Sequence, residues 1–322
     1  MFEPGLRVPR HRTTTANLGA VYPFQAEMGL GPRGIVLGTN RLAGHAAFCF
    51  DPFELYTAKV ITNPNMMVVG APGSGKSAAV KCFLHRCLGA LRSPGGRPRW
   101  GAIADPKGEY GPLAETLGLE VVRLHPGGTT RLNPLDAGPA GAWANPEELA
   151  GRRTSMVVAL VGTVLGRDLS QVEDACVGWA VDRLAGAAGP TLADVARMLA
   201  SPTAEMAERA GLEADELARR VDEVRFALGK LLDRNLRGMF DGASTVSVDW
   251  SGRGLVLDLS VVRDDAQALR VVMVAATAWL QAAMASPDDP AAPRRVQVLD
   301  EAWSLLADER TARYLQSCWK LC

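Results

Sequence analysis

Short apolar runs bounded by turn residues recur at 66–69, 100–104, 121–124, 255–259 and 296–299, and this pattern predicts buried β-strands. Helical spacing fills the intervals at 77–91 and 266–285. Strands alternating with helices specify βαβ crossovers and a mainly parallel sheet. Two further strand-like runs, 35–38 and 46–50, come earlier and read as a hairpin turning near Thr39 and Asn40. Between 146 and 240 the rhythm changes, and only helical periodicity remains. Asn145-Pro146-Glu147-Glu148 supplies a cap, a first-turn proline and acids that favour the helix dipole. Glu216 and Arg220 add an i,i+4 pair. The expected fold is α/β: a mainly parallel core, 31–145 and 242–322, interrupted by an all-helical module at 146–241. A polar arm, 1–30, precedes it, and its small basic cluster at Arg7, Arg10, His11 and Arg12 reads as a solvated face.

Composition narrows the setting more than the fold. Lys plus Arg and Asp plus Glu both total 35, which excludes the globally basic signature of a DNA-coating protein. A local basic patch stays compatible with that sum. Cysteines at 49, 82, 87, 176, 318 and 322 lack the density of a disulfide framework, as expected of a reducing compartment. The first residues carry no apolar stretch of the secretory kind. The most apolar runs, 156–165 and 271–285, fall short of the roughly 20 residues a membrane span requires. A cytoplasmic location is expected, with peripheral attachment at the inner face of the cell membrane left open.

The strongest chemical signal is Gly70-Ala71-Pro72-Gly73-Ser74-Gly75-Lys76-Ser77, a G-x-x-x-x-G-K-[ST] phosphate loop between an apolar run and a helical pattern. Glycines let backbone N–H groups converge on phosphate oxygens, and the start of a helix, here running through Ala78, favours an anion. Lys76 would neutralise the β- and γ-phosphates of ATP, and the Ser77 hydroxyl would ligate Mg²⁺. A second half-site follows the run 296–299, where Asp300 and Glu301 stand at a predicted strand end. Asp300 would hold the Mg²⁺ shell, and Glu301 would take the proton of the attacking water. Asp105-Pro106-Lys107-Gly108-Glu109-Tyr110 should reach the same sheet edge. Asp105, Lys107 and Glu109 are accessory candidates for positioning water or coupling subunits. A plain strand-to-helix turn accounts for them equally well.

Other signals carry less. Gly29-Leu30-Gly31-Pro32-Arg33-Gly34 matches G-x-G-x-x-G but precedes a strand-like run rather than a helix, so it reads as the lead-in to a hairpin. Cys82, His85 and Cys87 lie in the helix leaving the phosphate loop, and packing explains them better than zinc. Cys318 and Cys322 read as packing residues in a terminal helix. Trp250, Trp279, Trp303 and Trp319 are scattered and are expected to fill cores.

Taken together, residues 70–77, the Asp105–Tyr110 turn, Arg131-Leu132-Asn133-Pro134-Leu135-Asp136, Leu257-Asp258-Leu259-Ser260 and Leu299-Asp300-Glu301-Ala302-Trp303 resemble the type IV secretion and conjugation ATPases. These are RecA-like P-loop motors of the FtsK–HerA group, and the resemblance runs from about Ile35 to the end. It implies a hexameric ATPase using ATP and Mg²⁺, with secretion-channel membrane proteins as partners and DNA or protein as the transferred substrate. In that family the Asp-Glu strand is followed by a helix and by a further strand ending in a polar sensor residue. The resemblance therefore implies a C-terminally truncated chain. A DNA pump of the same group, or an ATP-binding fragment without turnover, are the alternatives.

Overall fold

A computed structural model describes residues 30–41, 45–89, 98–138, 145–186, 189–233, 236–284 and 292–320. The basic cluster of the N-terminal arm and Cys322 lie outside those residues. The chain divides into two compact units, Met1–Ala71 and Pro72–Cys322.

In the first unit, β1 (Ile35–Asn40) and β2 (Ala46–Phe50) form the antiparallel hairpin that the paired runs predict. Asp51 then caps α1 (Pro52–Thr57), accepting the Phe53 N–H at 3.0 Å, while Pro52 needs no partner in the first turn. The expected strand at 66–69 does not form. Met66, Met67, Val68 and Val69 are all exposed and have no ladder partner among the described residues. An apolar run becomes a strand only when its N–H and C=O groups pair with a neighbour, and the run itself does not specify that neighbour.

The second unit is built on a parallel sheet of order β4-β5-β3-β6, with β3 (Arg99–Asp105) wholly buried, β4 (Glu120–Arg123), β5 (Gly254–Asp258) and β6 (Arg294–Leu299). Parallel pairing brings all carboxyl ends to one edge. Asp105 registers with Asp258, and Ala104 with Leu299, so Asp300 emerges beside Asp105. At the opposite end Gly254 lies against Gly101. Gly254 has φ +142°, and a Cβ there would run into the Gly101 backbone, so the strands approach only because the residue is glycine. Around the sheet run α2 (Lys76–Gly89), α3 (Gly111–Leu117) and α10 (Ala266–Met284). With 19 residues, α10 is long and apolar enough by composition to span a membrane, more than its apolar run suggests, but here most of it is buried in the core.

The helical segment comprises α4 (Pro146–Leu165), α5 (Gln171–Arg183), α6 (Leu192–Ala200), α7 (Ala204–Ala210), α8 (Ala214–Arg220) and α9 (Asp222–Asp233). Asn145 caps α4 through Glu147 N–H as expected, and Gly166 ends it in the left-handed conformation. Capping boxes open α5 (Ser170 and Glu173) and α6 (Thr191 and Asp194). This segment shares its hydrophobic core with the sheet: one cluster runs from Trp100, Leu255 and Leu257 through α10 into Val157, Leu160, Val177 and Leu228. The 131–136 segment stitches the two together. Asn133, fully buried, donates from Nδ2 to Pro190 O at 2.9 Å, and its N–H reaches Ser244 Oγ at 2.8 Å. Arg131 pairs with Asp241 at 2.9 Å. The chain ends in α11 (Trp303–Leu306) and α12 (Glu309–Lys320), the latter packed on α4.

Candidate functional site

The phosphate-loop sequence straddles the two units, Gly70 and Ala71 belonging to the first and the remainder to the second. Within the second unit Gly73 (φ +74°) and Gly75 (φ +88°) adopt the left-handed backbone that their residue type permits. A Cβ at either would meet open space, so conformation rather than crowding requires glycine there. Immediately afterwards α2 begins at Lys76, with Ala79 N–H bonded to Gly75 O at 2.9 Å. Lys76 and Ser77 are partly exposed, and Pro72, Gly73, Ser74, Gly75 and Ala78 are exposed. The buried side of α2, Phe83, Leu84, Cys87 and Leu88, fixes this helix start relative to the sheet. Cys87 belongs to that packing and accepts a hydrogen bond from Arg99 at 3.1 Å, while Cys82 is exposed.

The acidic pair follows β6 directly. Asp300 stays in line with the strand, its N–H bonded to Ala104 O at 3.2 Å. Its Oδ1 accepts the Glu301 N–H at 2.9 Å, and its Oδ2 is buried without a hydrogen-bond partner. Burial raises the Asp300 pKa; the Glu301 N–H bond opposes this, and the neighbouring Glu301 charge adds to it. A buried carboxylate oxygen of this kind, like the Ser77 hydroxyl, is a hard oxygen of the type that a divalent cation such as Mg²⁺ takes.

Glu301 adopts φ +53°, a left-handed conformation that costs energy for a side chain with a Cβ. Its Oε1 lies 2.5 Å from Lys107 Nζ, and Trp303 Nε1 donates to its Oε2. Burial acts to raise the Glu301 pKa, but the bonds from Lys107 and Trp303 and the charges of Lys107 and Lys76 outweigh it and hold the group ionised. Lys107 is raised in turn, chiefly by its bond to Glu301. Lys107, Asp300 and Glu301 thus form one bonded cluster, and the Lys76 charge acts on its Glu301.

The turn after β3 supports that cluster. Asp105 is buried and spends both oxygens on the turn, accepting Lys107 N–H at 3.2 Å and Tyr110 N–H at 2.9 Å. Glu109 pairs with Lys81 of α2 at 3.2 Å, and that ammonium also lies 5.0 Å from the Tyr110 ring centroid. Tyr110 is fully buried, and its pKa is raised by burial first and then by the Asp300 and Asp105 charges. Glu109 therefore braces the turn against α2, Asp105 shapes it, and Lys107 reaches the acidic pair.

Trp303 departs from the expectation that the tryptophans fill cores. It is 64 % exposed and touches Glu301. Its position two residues after the acidic pair, at the opening of a short helix, was the available signal. Trp279 is buried as expected, donating to Ser244 Oγ at 3.1 Å, and Trp250 packs against Trp100 with centroids 4.6 Å apart and ring planes tilted by 40°.

No family model and no curated protein matches the sequence. Among solved structures, plasmid coupling protein TrwB in complex with the non-hydrolysable ATP analogue ADPNP aligns with a TM-score of 0.49 at 19 % identity, covering 77 % of this chain and 59 % of that one. VirB4 of Thermoanaerobacter pseudethanolicus aligns with a TM-score of 0.65 at 20 % identity, covering 91 % of this chain and 74 % of that one. The chain thus has the fold of that VirB4, here a four-stranded parallel sheet flanked by helices with an all-helical segment between β4 and β5.

Proposed function

We propose that this chain binds and hydrolyses ATP as a motor of the type IV secretion and conjugation kind. The observation that carries the reading is the cluster of Lys76 at the start of α2 with Asp300 and Glu301 at the end of β6. Lys76 and the α2 N-terminus would bind the phosphates. Ser77 and Asp300 would hold Mg²⁺, which when bound would neutralise charge on the β- and γ-phosphates. Glu301 would orient water and accept its proton as the water oxygen bonds to the γ-phosphorus. The bond from that phosphorus to the bridging oxygen breaks, and ADP leaves with the electron pair.

The fold shared with VirB4 supports extending the reading to a cytoplasmic homo-oligomer, a hexamer by resemblance, at the inner face of the cell membrane. Its partners would be channel membrane proteins, and its substrate DNA or protein. With no basic excess in the chain, DNA contact would come from local surface in an assembled ring. The test combines equilibrium nucleotide binding with turnover. Lys76→Ala should abolish affinity for ADP and ATP, and Glu301→Gln should abolish turnover while ATP still binds. Unchanged affinity in Lys76→Ala would overturn the reading.

A further inference from the structure

Both carboxylate oxygens of Glu301 are engaged, Oε1 by Lys107 and Oε2 by Trp303. Two donors stabilise the carboxylate charge and weaken its basicity, so Glu301 becomes a better base when it gives one of them up. Trp303 is a neutral donor on the adjoining helix. Lys107 is a cation on a long, flexible stem, 45 % exposed, and sits on a turn that Asp105 and Glu109 hold rigid from both ends. Of the two partners, Lys107 is the one that an added negative charge can draw away.

Lys81 of α2 pairs with Glu109 at 3.2 Å, so the turn that carries Lys107 lies against the helix whose first residue is Lys76, and phosphates bound at that helix start would stand near Lys107 as well. ATP brings a terminal phosphate that ADP lacks. We propose that Lys107 is a positioning residue that reads the γ-phosphate: it pairs with Glu301 until a nucleoside triphosphate recruits its ammonium, and the exchange frees Glu301 Oε1 for the attacking water. This inference rests on the ATPase reading of the site. It makes the base available only beside a triphosphate, and it gives the turn after β3 a function beyond connecting two elements.

The experiment measures dissociation constants for ADP and for a non-hydrolysable ATP analogue, both with Mg²⁺, in Lys107→Met, Glu301→Gln and the double variant. Lys107→Met should reduce the preference for the triphosphate about tenfold, the loss of one charge-assisted contact, with ADP affinity little changed. Glu301→Gln should raise that preference, because Lys107 no longer has to leave a carboxylate. The gain should vanish in the double variant, since it depends on Lys107. An ion pair that only braces the fold predicts changes of the same sign from both single variants, and that result would overturn the proposal. A Glu301→Gln gain that persists without Lys107 would overturn it too. Lys107→Gln takes the place of Lys107→Met should the latter fail to fold by circular dichroism. Lys76→Ala separates the two levels of the argument. If it leaves both affinities intact, the phosphate-loop reading fails; if it abolishes them and the Lys107 pattern is absent, only the γ-phosphate role fails.

Discussion

The Asp105 carboxylate accepts the backbone N–H of Tyr110 at 2.9 Å, closing a turn across five residues at the carboxyl end of the central strand. Its other oxygen takes the Lys107 N–H, so one buried side chain sets the path of the segment that carries Lys107 to Glu301. Asp105→Ala should leave two backbone donors unsatisfied and lower stability by about 2 kcal/mol. Thermal unfolding checks the cost. Asp105→Asn should recover only part of it, because one acceptor oxygen becomes a donor.

Gly254 tests the sheet itself. Its φ of +142° and its close approach to the Gly101 backbone leave no room for a Cβ. Gly254→Ala should separate β5 from β3 at that end and cost roughly 3 kcal/mol or more, as a strained core position does. A chemical denaturation midpoint within error of the parent would contradict the β3–β5 register.

Glu173 predicts how stability falls in acid. Its side chain is 4 % exposed and meets Arg167 through two hydrogen bonds of 2.8 Å, while Ser170 N–H adds a third at 2.7 Å. The bond to Arg167 is the largest influence, and despite burial it holds the pKa down at about 2 against an ordinary 4.5. A depressed carboxylate pKa adds stability above the unfolded value, and that stability drains away as pH falls from 4.5 towards 2. Because the Arg167 side chain is 41 % exposed, the contribution at neutral pH should be discounted to about 1–2 kcal/mol. Glu173→Gln should therefore lower stability at pH 7 and flatten its pH dependence in that window. Denaturant titrations at pH 7, 4 and 3 measure both effects.

Asp300 offers a binding test separate from turnover. With Oδ2 buried and undonated, Asp300→Asn should keep ADP affinity in chelator and lose most of the gain that Mg²⁺ confers. An unchanged Mg²⁺ dependence, measured by calorimetry, would remove Asp300 from the cation site.

Much of the architecture was legible because it is local. Asn145, Pro146 and Glu147 specify a helix start through their own hydrogen-bonding chemistry, and α4 begins there. Apolar runs of strand length marked β3, β5 and β6, and the glycine spacing before Lys76 marked a left-handed loop feeding a helix. The order β4-β5-β3-β6 could not be read that way, since strand neighbours are chosen by long-range pairing. The run 66–69 shows the limit: its apolar pattern matches the others, yet it has no ladder partner among the described residues and stays exposed.

By itself the sequence determined which residues are the candidates for chemistry here, because a phosphate loop and an acidic pair are short motifs legible from adjacent residues. Only the tertiary structure decided what each does to the others. Lys107 and Glu301 are nearly two hundred positions apart, and Trp303 reads as a core residue until its surroundings are known. The pairing of β3 with β6 brings those groups together, and ion pairs across a sheet edge depend on register that no local pattern records.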